Sequence, residues 1–221
     1  IVTKHHMITD AWSSNVFIRE LVAIYDAYSK GQPTPLAEMP VQYSDYALWI
    51  RQFGQEHMAA QLSYWREKLD GCVVQEIPTD KRRPLERNHW GGRARVQLSK
   101  ENSRAVAKLC KEEQATFFML LVTAFKILLS RYTGSKDVVV GSALAGRSRP
   151  ELENLMGMFI NILPLRTDLS GRPTFRELLR RVRETCLEAY QHQDMPLEKL
   201  VEELNPNRGL SRSPFFQVLF N

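Results

Sequence analysis

Long apolar runs are missing from this chain of 221 residues. None reaches the roughly 18 residues that a membrane-crossing helix needs, so no membrane partner is expected. Cysteine is scarce: Cys72, Cys110 and Cys186 are odd in number and widely spaced. That spacing gives neither a metal-ligand pattern nor a disulfide framework, so no metal is expected and a reducing, cytoplasmic setting is the simplest reading. No basic segment with a following apolar stretch opens the sequence, so no signal peptide is visible. Gly134, Gly141, Gly146 and Gly157 are not followed by the Lys-Ser/Thr pair of a phosphate-cradling loop, which argues against a nucleotide site. No internal repeat appears. Net charge is +5, but the cations are spread along the chain, and short runs such as Arg180, Arg181 and Arg183 read as solvated helix or loop faces. A nucleic-acid surface would need clustered cations among exposed aromatics, so no nucleic acid is expected. A basic face can instead meet an acidic partner protein by electrostatic steering.

Hydropathy patterning supplies the elements. Ile1 to Lys4 reads as the end of a strand. Residues 14–29 carry Phe17, Leu21, Ile24 and Tyr28 at helical spacing, and Gly31, Pro33 and Pro35 stop that helix. A second helical stretch is expected over 41–69, with Tyr46, Trp49, Ile50, Phe53, Leu62 and Trp65 as core residues. Residues 71–92 read as a linker. Arg93 to Leu98 alternates like a strand, and Ser99 can cap the helix after it. Thr116 begins an apolar helix through Leu129. Val138 to Val140 reads as a buried strand ended by Gly141. A strand over 162–169, helices over 174–191 and 196–204, and a last strand over 215–220 follow. Strands separated by helices give an α/β class; the pattern does not choose the topology.

One stretch bears on chemistry. His5 and His6 are adjacent, and Asp10 stands four residues after His6. An imidazole titrates near working pH and can accept a proton from an attacking nucleophile. Asp10 can organise the turn beneath it, or cap a helix ahead of Trp12. Alone the spacing is weak. It is followed, however, by Trp12-Ser13, then Tyr43, Asp45, Tyr46 and Trp49, then Gly157, Phe159, Asn161, Pro164 and Arg166. His192, Gln193, Asp194, Pro196 and Glu198 come next, and Ser211, Arg212, Pro214, Phe216, Gln217 and Phe220 end the series.

In this order the motifs resemble those of the condensation domains of non-ribosomal peptide synthetases, from about Val2 to Phe220. The resemblance implies two chloramphenicol-acetyltransferase-like lobes, mixed sheets flanked by helices, with a channel between them. Residues 1–75 would be the C-terminal part of the first lobe, 76–91 a linker, and 92–221 the front part of the second. Both lobes would be incomplete, so the chain is expected to be a central fragment with little or no activity when isolated; unpaired sheet edges would invite association.

The implied reaction is amide formation between aminoacyl or peptidyl thioesters carried on phosphopantetheine. The implied partners are upstream and downstream peptidyl carrier domains and an adjacent adenylation domain, with no cofactor bound directly. His6 matches the residue that takes a proton from, or positions, the attacking amine. His5 is read as fixing the loop. Asp10 is expected to pair with an arginine of the 145–149 segment, Arg147 first, tying the two lobes together; exchanging the two charges should then restore the pair. Ala11 stands where the family usually has glycine, and a left-handed backbone there would make alanine costly. Trp12-Ser13 favours condensation over epimerisation. Asn161 either lines the channel or satisfies loop backbone. His192 is read mainly as a helix end, and Arg212 and Gln217 as candidate contacts of a carrier arm. Two other readings stand beside this: a non-catalytic carrier-docking module of the same fold, and a coenzyme A-dependent acyltransferase of the same superfamily.

Overall fold

The computed structural model describes residues 1–52, 54–81, 90–204 and 215–221, with the backbone alone at 54–56. In chain order it forms a 3-10 turn (His6–Ile8), α1 (Ala11–Ser29), α2 (Tyr43–Gln52), α3 (Gly54–Leu69), α4 (Lys100–Glu112), α5 (Phe117–Thr133), β1 (Asp137–Leu144), a second 3-10 turn (Pro150–Leu152), β2 (Asn161–Asp168), α6 (Phe175–Gln191) and α7 (Leu197–Leu204). No single described helix is long and apolar enough to cross a membrane.

The chain divides into two compact units. One comprises Ile1–Leu62 and Leu144–Asn161, the other Ser63–Ala143 and Ile162–Asn221. These units are a different division from the expected boundaries at 75 and 92. The segment 144–161 joins the first unit because its apolar residues find their core there. Leu152, Leu155 and Phe159 are buried together, with Met39, Val41 and Tyr46 packed against them.

In the second unit, β1 contributes Val138, Val139 and Val140 to the core and β2 contributes Leu163 and Leu165; α5 adds Met119, Leu120 and Val122, and α6 adds Leu179, Val182 and Cys186. The Leu169 N–H donates to the Lys136 carbonyl at 2.7 Å. That bond sets the end of β2 against the start of β1, so the strands run in opposite directions. Local chemistry fixes the helix ends. Ser99 and Thr116 cap α4 and α5, Thr174 and Glu177 form a reciprocal capping box on α6, and Gly134 closes α5 in the left-handed conformation.

Five expectations need correction. Ile1 to Lys4 forms no strand. The helical stretch over 41–69 is two helices; Gly54, a weak helix former, heads the second, and Phe53 lies outside the described residues. Arg93 to Leu98 forms no strand: all six residues are exposed, and alternation makes a strand only where an edge accepts its backbone groups. β1 does not stop at Gly141 but runs through it. A Cβ there would lie 2.5 Å from the Phe216 ring, so glycine serves close approach rather than termination. The last strand reduces to one parallel bridge, between Gly141 and Leu219. Part of the linker expectation, 82–89, falls outside the described residues.

Candidate active site

His5 is extended and caps the 3-10 turn: its Nδ1 accepts the Met7 N–H at 3.1 Å. In the neutral ring the proton then sits on Nε2. The Ile8 N–H donates to the His5 carbonyl at 3.1 Å and completes the turn. The His6 side chain is exposed, and among the described residues none hydrogen-bonds its ring. Asp10 follows as the N-cap of α1, its Oδ1 accepting the Ser13 N–H at 2.7 Å. A carboxylate here offsets unpaired N–H groups at the helix start. Ala11 is the first helical residue, and the non-glycine residues with left-handed backbone are Gln114 and Arg172 among those described. Alanine therefore carries no strain at position 11.

Arg147 meets Asp10 from the far side. Its Nη1 donates to Oδ2 at 2.9 Å and its Nη2 to Oδ1 at 3.2 Å, a two-pronged grip suited to the planar guanidinium. Further bonds run to the carbonyls of Ala145, Leu152 and Leu155 and to the Ser13 hydroxyl. The Phe159 ring lies 4.2 Å from the guanidinium carbon. Burial by itself would raise the Asp10 pKa. Together the Arg147 guanidinium, the N–H and hydroxyl of Ser13 and the N–H of Phe159 outweigh it and hold the carboxyl at about 2. Both residues lie in the first compact unit.

Sequence reasoning passed over the centre of this network. The Ser13 hydroxyl is fully buried; it donates to the Gly157 carbonyl at 2.7 Å and accepts the Gly157 N–H at 3.0 Å. In the sequence Ser13 counted only as part of the Trp12-Ser13 pair; its place three residues after an N-cap candidate predicts the backbone bond to Asp10 and not the hydroxyl's role. Trp12, half-exposed, is fixed by its indole N–H donating to the Glu153 carbonyl at 2.8 Å. A Cβ on Gly157 would sit 2.2 Å from the Tyr43 ring, whose hydroxyl donates to the Met158 carbonyl at 2.9 Å.

The remaining candidates are elsewhere. Asn161 opens β2, half-buried. His192 ends α6; its ring stacks on Tyr64 with centroids 3.7 Å apart, and its Nδ1 faces the Glu188 carbonyl at 2.8 Å. Gln217 is half-buried beside the Leu219 bridge, and Arg212 lies outside the described residues. The second unit also holds an open, polar groove of about 950 Å³, where the cations are already engaged: Arg166 with Asp137 at 2.8 Å and Lys68 with Glu188 at 2.6 Å. Among the described residues no three His, Cys, Asp or Glu side chains are placed to hold a metal ion.

The family model for the condensation domain matches residues 1–221. The chain belongs to the condensation domain family. It is 51% identical to one linear gramicidin synthase polypeptide of Brevibacillus parabrevis over 100% of its length, which is 3% of that protein. It is 53% identical to a second linear gramicidin synthase polypeptide of the same organism over 98% of its length, 4% of that protein. Among solved structures, it is similar to the X-domain from teicoplanin biosynthesis at 32% identity and a TM-score of 0.89, covering 97% of this chain and 49% of that one. The first condensation domain of the CDA synthetase shares the fold, with a TM-score of 0.74 at 23% identity over 95% of this chain and 46% of that chain. The mixed α/β class expected from the sequence is the class of these two structures. This condensation domain chain thus spans a few per cent of the synthases it matches and about half of the solved domains.

Proposed function

We propose that these residues serve amide formation between two carrier-bound thioesters in a non-ribosomal peptide synthetase. The observation that carries this reading is the His6 ring, exposed on a turn whose far end is locked by the buried Asp10–Arg147 pair. In the reaction the α-amine of the acceptor aminoacyl thioester attacks the donor thioester carbonyl. A C–N bond forms and the C–S bond breaks. His6 accepts the amine proton, or orders the amine by accepting its hydrogen bond, and the proton ends on the departing thiol of the donor arm. No acyl-enzyme is required, because the thioester is already activated. His5 holds the turn, and Asp10 with Arg147 holds the helix start from which the turn springs. Trp12 and Asn161 support the channel. Phosphopantetheine arms of upstream and downstream carrier domains deliver the substrates, and an adenylation domain loads them. The high identity to two linear gramicidin synthase polypeptides supports this setting.

The test is single-turnover transfer between loaded carrier domains, read by intact-protein mass spectrometry, in the synthetase polypeptide that carries these residues. His6→Ala should slow dipeptidyl-carrier formation by 100-fold or more. Wild-type transfer in His6→Ala would remove His6 from the chemistry.

A docking reading has its own support: a solved X-domain at 33% identity, of which the chain covers 49%, is in complex with OxyB. On that reading His6→Ala leaves function intact, and loss follows from surface substitutions alone.

A further inference from the structure

Lys4 lies just ahead of the histidine motif and is not one of its positions. Its ammonium donates to the Ser14 hydroxyl at 3.1 Å, and that hydroxyl donates in turn to the Asp10 carbonyl at 3.0 Å. Lys4 and Asp10 are the two residues that flank the His5–Thr9 segment. The chain Lys4–Ser14–Asp10 therefore closes that segment into a loop with both ends on the first turns of α1. The Lys4 ammonium also stands 4.8 Å from the centre of the Phe17 ring. Residues 10, 14 and 17 share one face of α1, so a single helix face receives both ends of the loop.

Helix electrostatics do not explain a cation here. The start of a helix carries partial positive charge and favours anions. The half-buried Lys4 is held instead by a hydroxyl and an aromatic face. Without this contact, the residues before His5 would have no described side-chain anchor to α1. The loop would then be fixed at the Asp10 end alone, and His5 and His6 would swing about it.

We propose that Lys4 and Ser14 are positioning residues that close the His5–Thr9 loop and set the bearing of the His6 imidazole on the reacting amine. The proposal rests on the amide-forming role of His6 given above. A catalytic group misplaced by about an ångström loses most of its effect, so the clamp acts on the chemical step and not on carrier binding. The two side chains form one connection, so removing either breaks it.

The test uses Lys4→Ala, Ser14→Ala, the double variant and Lys4→Arg in the same synthetase polypeptide. The first readout is diethyl pyrocarbonate labelling of His5, followed by peptide mass spectrometry. Labelling at the Nδ1 that caps the turn should rise several-fold in Lys4→Ala and Ser14→Ala, no further in the double variant, and return to wild type in Lys4→Arg. The second is transfer kinetics: kcat should fall about 5- to 20-fold in the single variants with KM for the acceptor carrier unchanged. Unchanged labelling in Lys4→Ala, or a change confined to KM, overturns the clamp. Raised labelling in Lys4→Ala together with full activity in His6→Ala leaves the clamp standing and removes the catalytic reading instead. An inactive His6→Ala beside a wild-type Lys4→Ala does the reverse.

Discussion

Arg147 holds both carboxylate oxygens of Asp10, at 2.9 and 3.2 Å, and the two side chains are 1% and 0% exposed. Two charges so far out of water are tolerable only when every donor and acceptor is used. Here the guanidinium also reaches three carbonyls and a hydroxyl, and the carboxylate takes two backbone N–H groups, from Ser13 and Phe159. The pair is a junction of α1 with the 145–159 segment.

Removing one partner leaves the other buried and uncompensated. Asp10→Ala and Arg147→Ala should each cost about 3–5 kcal/mol in urea unfolding. The exchange Asp10→Arg with Arg147→Asp should not restore stability, contrary to the expectation from charge alone. An arginine at 10 has no acceptor for the Ser13 and Phe159 N–H groups. The Asp10 carboxyl is held at about 2, below its unfolded value of about 3.9. Its contribution is therefore complete above about pH 4 and lost as pH falls toward 2. Acid titration of wild type against Asp10→Asn measures it; equal acid sensitivity would contradict the assignment.

Ala11 should prove benign. It occupies the first position of α1 with helical backbone, where the family's glycine would confer no conformational advantage. Ala11→Gly should leave stability unchanged or lower it by up to about 1 kcal/mol. A gain in the urea midpoint would mean that alanine is strained there.

What was legible in the sequence was local. The helix starts at Ser99, Thr116 and Thr174 were read close to where they fall because a cap needs only residues three apart. The Asp10–Arg147 pairing came from family resemblance; nothing in the spacing of residues 137 apart specifies it. The membership of 144–161 in the first unit was hidden for the same reason: Phe159 and Leu155 show that they are apolar, not which core receives them. The alternation of Arg93 to Leu98 misled because pattern says nothing about an available edge. Gln75 was invisible altogether. Its carboxamide donates to the Asp137 carbonyl and accepts the Val139 N–H, standing in for a peptide group on the edge of β1.

Gly146 illustrates how a glycine can be fixed by both backbone and space. Its φ is +64°, and a Cβ would fall 1.8 Å from the Phe159 carbonyl oxygen. The left-handed backbone alone costs a non-glycine residue about 1–2 kcal/mol, and the contact is with main chain that cannot rotate away. Gly146→Ala should therefore destabilise by more than about 2 kcal/mol and displace the loop that carries Arg147. Gly71→Ala is the control: φ is +62° but nothing lies within 4 Å, so only the backbone cost should appear. Equal losses in the two variants would show that the Phe159 contact relaxes freely.

Lys126 sits wholly inside the second unit, its ammonium donating to the Leu165 carbonyl at 2.8 Å and the Thr167 hydroxyl at 2.7 Å. Neither partner is charged. Burial drags its pKa down to about 7, against the pull of Cys186 and Asp137, with Lys68 adding to the depression. An unfolded lysine holds its proton to about pH 10.4. Between these values the unfolded chain binds more protons, so stability rises with pH above about 7. Cys186, pushed up to about 11 by its own burial, works the other way once an unfolded thiol ionises near pH 8.5. The informative window is thus roughly pH 7 to 8.5. Across it the wild-type urea midpoint should climb, while Lys126→Met, which cannot titrate, should stay flat and lie above wild type at pH 7. A midpoint for Lys126→Met that climbs in parallel with wild type would assign the pH dependence to another group.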